Sequence, residues 1–311
     1  MAGVVFMKKS FILHNNDLLL NNNLCHELNE NEKNTGHSAI RSDNFLNNFA
    51  HEQLCDEFPS LDLFNHYIDD KYQYPAKRGA LRWESENPNN LYGKSHDFNN
   101  PEVSFSVNEM PPIWKQFLLE LGSPEYKSFI DNLHGTGETL KMYGNFWCSF
   151  CEPLGESLDN YNYIGKSILA GDGNYGKNPD EIAKEDLLLS GFYSIREGKY
   201  IQNGLVAPCM KPHIGSDNKR ISIVYYLNSE KEWKEEYGGR TVFYYVDKKT
   251  GWDPRDNPYE SAKHPIQLKP EMAGNVTVMF KNSVGCWHTI EDIKVPSKTI
   301  IRKNFILVVH I

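Results

Sequence analysis

Residues 1 to about 43 carry runs of asparagine (Asn15-Asn16, Asn21-Asn22-Asn23, then Asn29 to Asn34) and no sustained apolar period. That pattern reads as a loosely ordered arm. From Phe45 apolar residues return, and His51 to Phe58 predicts a short helix closed by Pro59, because proline disfavours helix in the residue before it. Residues 71 to 110 are polar and broken by Pro75, Pro88 and Pro101, which predicts long connections. Ile113, Trp114, Phe117, Leu118 and Leu121 then recur at three and four residues, the period of an amphipathic helix, and Gly122 stops it. Ser123 and Pro124 supply the N-cap and first-turn proline of a second helix that runs through Leu133 and ends at Gly135.

Beyond this point the period shortens. Segments rich in β-branched and aromatic residues predict strands at 140–150, 191–196, 220–227, 240–246, 266–268, 275–280 and 300–309. Gly171 to Pro179 and Trp252 to Pro258 are turn-rich insertions between them, natural places for a lid or substrate loop. Many short strands without long helices between them predict antiparallel closure into a barrel or jelly roll. The expected organisation is the arm over 1–43 and a single mainly β domain (α+β) over 44–311. Within it, residues 44–139 form a helical and loop layer and residues 140–311 the β core.

Composition narrows the class. With 40% apolar and 13% aromatic residues in 311, the chain can fill a substantial core. A net charge of -8 argues against a protein that neutralises phosphates, so nucleic acid is not an expected partner. No apolar run approaches the roughly 18 residues that cross a bilayer, and the apolar start at Val4 to Met7 is short for a secretory signal. The expectation is therefore a cytoplasmic protein without a membrane partner. Six cysteines are too sparse for a disulfide framework, and Cys148-Ser149-Phe150-Cys151 is the only CxxC. A structural zinc needs a second pair of suitable spacing, which Cys209 and Cys286 do not make, so the cysteines read as buried strand thiols.

The chemistry-bearing residues lie in the β-rich half. Pro212-His213-Ile214-Gly215-Ser216 precedes a strand, Trp287-His288 follows one, and Arg302 lies in the last. Both histidines reach one barrel mouth only if several strands intervene, and the sequence supplies them. Gly238-Gly239 punctuates a hairpin before Arg240 to Val246, and Pro270 to Gly274 is a tight turn feeding Asn275 to Phe280. In the last strand Arg302, Asn304 and Ile306 share one face under two-residue alternation, and Lys303, Phe305 and Leu307 share the other.

This order of pieces resembles the iron(II)/2-oxoglutarate-dependent oxygenases of the double-stranded β-helix (cupin-like jelly-roll) fold: a PHxG segment, a strand, a GGxTxFY segment, a turn with GNVxxxF, a WH pair and a last-strand arginine. The likeness covers roughly residues 190 to 311, with a weaker one from Phe45 to Pro59. It implies that His213 and His288 are the imidazole ligands of Fe(II), and that Arg302 pairs with the distal carboxylate of 2-oxoglutarate. The departure is Gly215, where family hydroxylases carry an aspartate or glutamate. A glycine there resembles the family's halogenases, in which chloride or bromide ligates iron in place of the carboxylate. A vacated side chain clears volume, and a missing negative ligand leaves a charge that an exogenous anion fills.

The implied activity consumes O2 and 2-oxoglutarate, forms succinate and CO2, and transfers halogen to an unactivated aliphatic carbon of a small molecule. Tyr193, Arg196 and Ser216 are further candidates for contacts to halide or co-substrate. Two alternatives stand beside this: a hydroxylase that uses Asp217 or water as third ligand, and a non-catalytic jelly-roll binding module. Trp287 reads as core, Arg240 as a hairpin charge, and His264 and His310 as structural. An acidic chain repels an acidic carrier protein, so the expected substrate is a free metabolite.

Overall fold

The computed structural model describes residues 12–20, 23–35, 38–61, 77–93, 104–135, 140–150, 193–196, 199–202, 205–207, 210–213, 219–244, 266–282, 286–291 and 293–311. The predicted insertions at Gly171 to Pro179 and Trp252 to Pro258 lie outside these residues, as do Cys151, Cys209 and His264. No described helix is long and apolar enough to cross a membrane.

Two sheets face one another. The larger has eight strands in the order β1 (Ala39–Asp43), β13 (Val276–Lys281), β10 (Lys219–Tyr226), β16 (Arg302–His310), β5 (Lys141–Phe150), β2 (Lys77–Glu84), β3 (Asn90–Gly93) and β4 (Ser104–Ser106). The smaller has four, ordered β12 (Ile266–Leu268), β11 (Thr241–Tyr244), β14 (His288–Ile290) and β9 (Met210–His213). From β9 to β16 the chain passes back and forth between the sheets, so neighbours in space are rarely neighbours in sequence. This is a double-stranded β-helix. Two short pairs flank it, β8 (Leu205–Ala207) with β15 (Ile293–Val295) and β6 (Tyr193–Arg196) with β7 (Lys199–Gln202).

The two faces of the large sheet are buried for different reasons. On one face Phe146, Ile223, Tyr225, Phe305 and Leu307 pack against a helical layer that contributes Trp114, Phe117, Tyr126 and Phe129. The helices are α1 (Asn16–Leu20), α2 (Asn23–Thr35), α3 (Asn48–Asp56), α4 (Pro112–Leu121) and α5 (Pro124–His134). α5 starts and stops as its sequence requires: Ser123 accepts the Tyr126 N–H, and Gly135 caps the end at φ 81°, a left-handed conformation that suits a residue without Cβ. On the other face Val224, Tyr226, Val278, Phe280 and Ile306 meet Phe243 and Cys286 of the small sheet's side.

Gly144 lets the helical face close. A Cβ there would overlap Phe305 Cζ and lie 2.8 Å from its Cε2, and that ring is held by Trp114, Phe117 and Phe146. Gly144→Ala is expected to cost about 1–3 kcal/mol by overpacking, read as a lower urea midpoint at unchanged slope.

Two expectations are corrected. Residues 12–43 are not a loose arm: α1 and α2 pack on the core, and β1 pairs antiparallel with β13 from Ala39↔Phe280 to Asp43↔Val276. The anchor is Glu120, a buried carboxylate that accepts the N–H groups of Ile12 and Leu13 and, at 2.8 Å, the Nδ1–H of His14. His14 Nε2 meets the Tyr225 hydroxyl at 3.2 Å, which in turn meets Tyr126 at 2.7 Å. Burial pushes the Glu120 pKa up, but the hydrogen bond from His14 and those from the backbone outweigh it and hold it below the usual value. A lowered native pKa contributes stability above the unfolded value, and that stability is lost as pH falls through the native one. Residues 71–110 likewise are more than connections, because Leu81, Trp83 and Leu91 bury one face of β2 and β3 as an extension of the large sheet.

Cys25, Cys55, Cys148 and Cys286 are free and buried, but only Cys148 is a strand thiol as expected: Cys25 and Cys55 sit on helices, and Cys286 lies just before β14. Burial pushes the Cys55 thiol up to about 12 and those of Cys148 and Cys286 higher, which keeps them protonated.

Candidate functional site

His213 ends β9 and His288 begins β14, and the two strands pair antiparallel with these residues directly opposite one another. Directly opposite positions of an antiparallel pair lie on one face of the sheet, with Cβ atoms roughly 4.5–5.5 Å apart. The two histidines singled out from the sequence are therefore cross-strand neighbours. Gly215, Ser216 and Asp217 follow β9 and lie outside the described residues.

The His288 ring is oriented before any ligand arrives. Its Nδ1 lies 3.0 Å from the Cys286 carbonyl, so Nδ1–H donates there and the lone pair falls on Nε2. Ligating histidines commonly donate their other ring N–H to a backbone carbonyl in this way, which fixes tautomer and orientation. The ring is buried, with Phe280 at 4.7 Å and Phe243 at 5.6 Å between centroids. Phe243 is its register partner on β11, so the imidazole has a dry aromatic wall and a fixed backbone acceptor. These features fit a metal ligand.

Arg302 lies inside the barrel, 3% exposed, on the face it shares with Asn304 and Ile306. Its Nε donates to the Gly239 carbonyl at 2.9 Å and its Nη1 to Asn304 Oδ1 at 3.2 Å, while the guanidinium carbon sits 6.0 Å from the Tyr226 ring centroid. Gly239 has φ 77°, and a Cβ there would press on Arg302 Cδ at 3.3 Å and on Trp233 and Ile293 at 3.2 Å. The double glycine is thus needed both for the turn and for the approach of the arginine. Lys303 faces the other way and pairs with Glu232 at 3.0 Å, as the alternation requires.

Several residues of this region were not singled out from the sequence. Asn228 is buried; its Nδ2 donates to the Ile301 carbonyl at 2.8 Å and its Oδ1 accepts the Lys303 N–H at 2.8 Å, clamping both neighbours of Arg302. The Tyr226 hydroxyl donates to Thr241 Oγ1 at 2.8 Å, two positions along β11 from the register partner of His288. Burial raises the Tyr226 pKa, only partly offset by the Arg302 charge and the Thr241 hydrogen bond, so the phenol keeps its proton. For Tyr226 and Thr241 the signal was inward-facing strand parity, which becomes informative only once the strand order is known, whereas Asn228 lies past the end of β10 and carried none. Outside the barrel, Arg240 pairs with Glu291 and Glu235 at 2.7 Å each, and Trp287 is buried, both as expected. Tyr193 and Arg196 fall on the β6–β7 hairpin, which pairs with neither barrel sheet, so this ladder does not bring them to the histidine pair.

No family model matches the chain, and no curated protein sequence matches it significantly. Solved structures are similar to it at low identity. A Pseudomonas putida prolyl-4-hydroxylase is 11% identical with a TM-score of 0.44, covering 92% of this chain and 98% of its own. A Trichoplax adhaerens prolyl hydroxylase, solved with a hypoxia inducible factor peptide fragment, is 12% identical with a TM-score of 0.43, covering 94% and 92%. The Arabidopsis thaliana dioxygenase for auxin oxidation, solved with 2-oxoglutarate, is 7% identical with a TM-score of 0.40, covering 92% and 86%. Likenesses of this degree carry no weight for function.

Proposed function

We propose that this chain is an Fe(II)/2-oxoglutarate-dependent oxygenase whose iron is held by His213 and His288, and that within this class it is a halogenase. The supporting observation is the direct cross-strand register of the two histidines, with one imidazole already fixed through its Nδ1–H to the Cys286 carbonyl. The wall of the same barrel carries the buried Arg302, beside Tyr226, Thr241 and Asn304. A planar cation with fixed hydrogen-bonding geometry suits the distal carboxylate of 2-oxoglutarate, and the Tyr226 and Thr241 hydroxyls suit the same group.

When bound, iron with 2-oxoglutarate and O2 supplies the oxidising power for breaking an unactivated C–H bond. The chain's own share is positioning. His288 presents a neutral nitrogen lone pair, Phe243 and Phe280 keep water from it, and Arg302 fixes the far end of the co-substrate. Gly215, two residues after His213, has no side chain to offer the metal, which leaves a position for chloride or bromide.

Product mass tests the reading. Incubation with chloride and then with bromide is expected to change the isotope pattern of the product to match the halide supplied. Addition of oxygen whatever the halide would identify a hydroxylase, with Asp217 or water in the third position, and would end the halogenase reading. Gly215→Asp is expected to abolish the halogenated product without restoring efficient hydroxylation, because the pocket is shaped around an absent side chain. Unchanged chlorination in that variant contradicts the placement of the halide.

A further inference from the structure

The metal end of the barrel carries a group of basic residues that the reading above does not use. β9 ends at His213 and β10 begins at Lys219, so five residues separate the two, and Lys219 belongs to the same end of the barrel as His213. Lys219 lies opposite His310 in the β10–β16 ladder. The His310 ring sits 5.1 Å from the Tyr143 ring at an interplanar angle of 75°, and the Arg82 guanidinium carbon stands 5.1 Å from the same ring.

Register ties this group to the metal side. One row crosses the large sheet from Phe280 through Ser222 and Val308 to Tyr143. The His288 ring packs on the first member of that row. Phe280 also receives Phe243 at 5.1 Å, so β11 and β14 both lie over β13. Among the described residues the next small-sheet strand, β9, is the sheet's edge, and β5, β2 and β3 follow β16 in the order of the large sheet. Their exposure agrees: Met142, Phe146 and Cys148 are buried in the helical layer, while Tyr143, Asn145, Trp147 and Arg82 on the barrel side are half-exposed.

We propose that Lys219, His310 and Tyr143 form an anion subsite at the mouth of the barrel, which takes a carboxylate of the organic substrate. The inference rests on the proposed activity only in calling the bound molecule a substrate. Arg82 is engaged by Glu84 through Nε at 2.7 Å, so its charge is largely met within the chain. Lys219 is different: burial lowers its pKa, and no carboxylate of the described residues acts on it. His310 is held below its ordinary value by burial first and then by the charges of Lys219 and Arg82. Lys219, with the His310 imidazole opposite it in the ladder and the Tyr143 ring against that imidazole, suits a monoanion better than a phosphate, which calls for more positive charge. The flat side of Tyr143 and the strand positions Asn145 and Trp147 continue as a wall for the rest of the molecule.

The test compares 3-phenylpropionate with its uncharged amide, 3-phenylpropanamide, by equilibrium binding to the metal-free chain at low salt. The acid is expected to bind at least about 10-fold more tightly than the amide, the effect of one charge-assisted hydrogen bond. Lys219→Gln is expected to remove that preference, Lys219→Arg to keep it, and Lys303→Gln, on the opposite face of β16, to leave it unchanged. Near-ultraviolet circular dichroism of each variant checks that it is folded. Equal affinity for acid and amide, a preference unaltered in Lys219→Gln, or no binding of the acid below about 10 mM would overturn the subsite. Loss of acid binding in Arg302→Gln with Lys219→Gln unaffected would assign the binding to the co-substrate pocket and overturn it equally. No metal enters this measurement, so its failure leaves the iron reading standing, and failure of iron binding leaves the subsite standing.

Discussion

His288→Ala is expected to abolish iron binding and turnover together. Disturbing a hydrogen-bonded partner of a metal ligand already costs about 10–100-fold in affinity or activity, so removing the ligand itself costs more. The wild-type chain mixed anaerobically with Fe(II) and 2-oxoglutarate is expected to develop a weak visible charge-transfer band, and the variant none. Because the imidazole also fills space against Phe280 and Phe243, the variant is expected to lose about 1–3 kcal/mol of stability while keeping its near-ultraviolet spectrum. His213→Ala is expected to lose the band as completely, since the two residues are register partners. A full band in either variant contradicts the two-imidazole centre. A metal-free binding module would give no band in the wild type either.

Arg302→Gln is expected to raise the KM for 2-oxoglutarate by about 100–1000-fold, the loss of a buried charge-assisted pair of hydrogen bonds. Arg302→Lys keeps the charge but not the planar fork, and is expected to fall between the two. Its neighbour separates co-substrate binding from general damage: Lys303 points to the helical side, and Lys303→Gln is expected to leave the KM for 2-oxoglutarate unchanged. Asn228→Ala is expected to act through Arg302. With both flanking backbone clamps gone, the KM for 2-oxoglutarate rises while iron binding persists. Loss of the iron band in that variant would show that Asn228 holds the barrel rather than the arginine.

What the sequence made legible follows from how local each signal is. α4 and α5 carry their own period and terminal glycines, and α5 a serine N-cap, within a couple of dozen residues, and both stand where the pattern put them. The strand blocks around 141–150, 219–226, 276–281 and 302–310 were legible because each is a continuous apolar or β-branched run. β1 was not, because Ala39 to Asp43 is short and its partner β13 lies far along the chain, so its burial depends on a non-local pairing. β2 alternates cleanly at Leu81, Arg82 and Trp83, but the surrounding prolines disguised it as connection. Glu120 sits among the buried residues of an amphipathic helix, where a carboxylate is tolerated only because three backbone N–H groups and His14 converge on it.

The site divides the same way. His213, His288 and Arg302 were found as an ordered series, and the fold supplies a reason for each interval. Enough strand intervenes between the histidines for β9 and β14 to become neighbours, and β16 returns to the large sheet with Arg302 facing inward. Tyr226, Thr241 and Asn228 carry no motif and emerge only from contacts across the barrel. His310, first read as structural, enters the proposed anion subsite only through its ladder partner Lys219 and the ring of Tyr143.

The decisive measurement is anomalous diffraction from crystals grown anaerobically with Fe(II), 2-oxoglutarate and bromide, recorded at the iron and bromine absorption edges. The account predicts one iron peak bonded to the ring nitrogens of His213 and His288, with a bromide peak in direct contact beside Gly215. An empty position between the two imidazoles, or iron held there by the Asp217 carboxylate with no bromide, would contradict it.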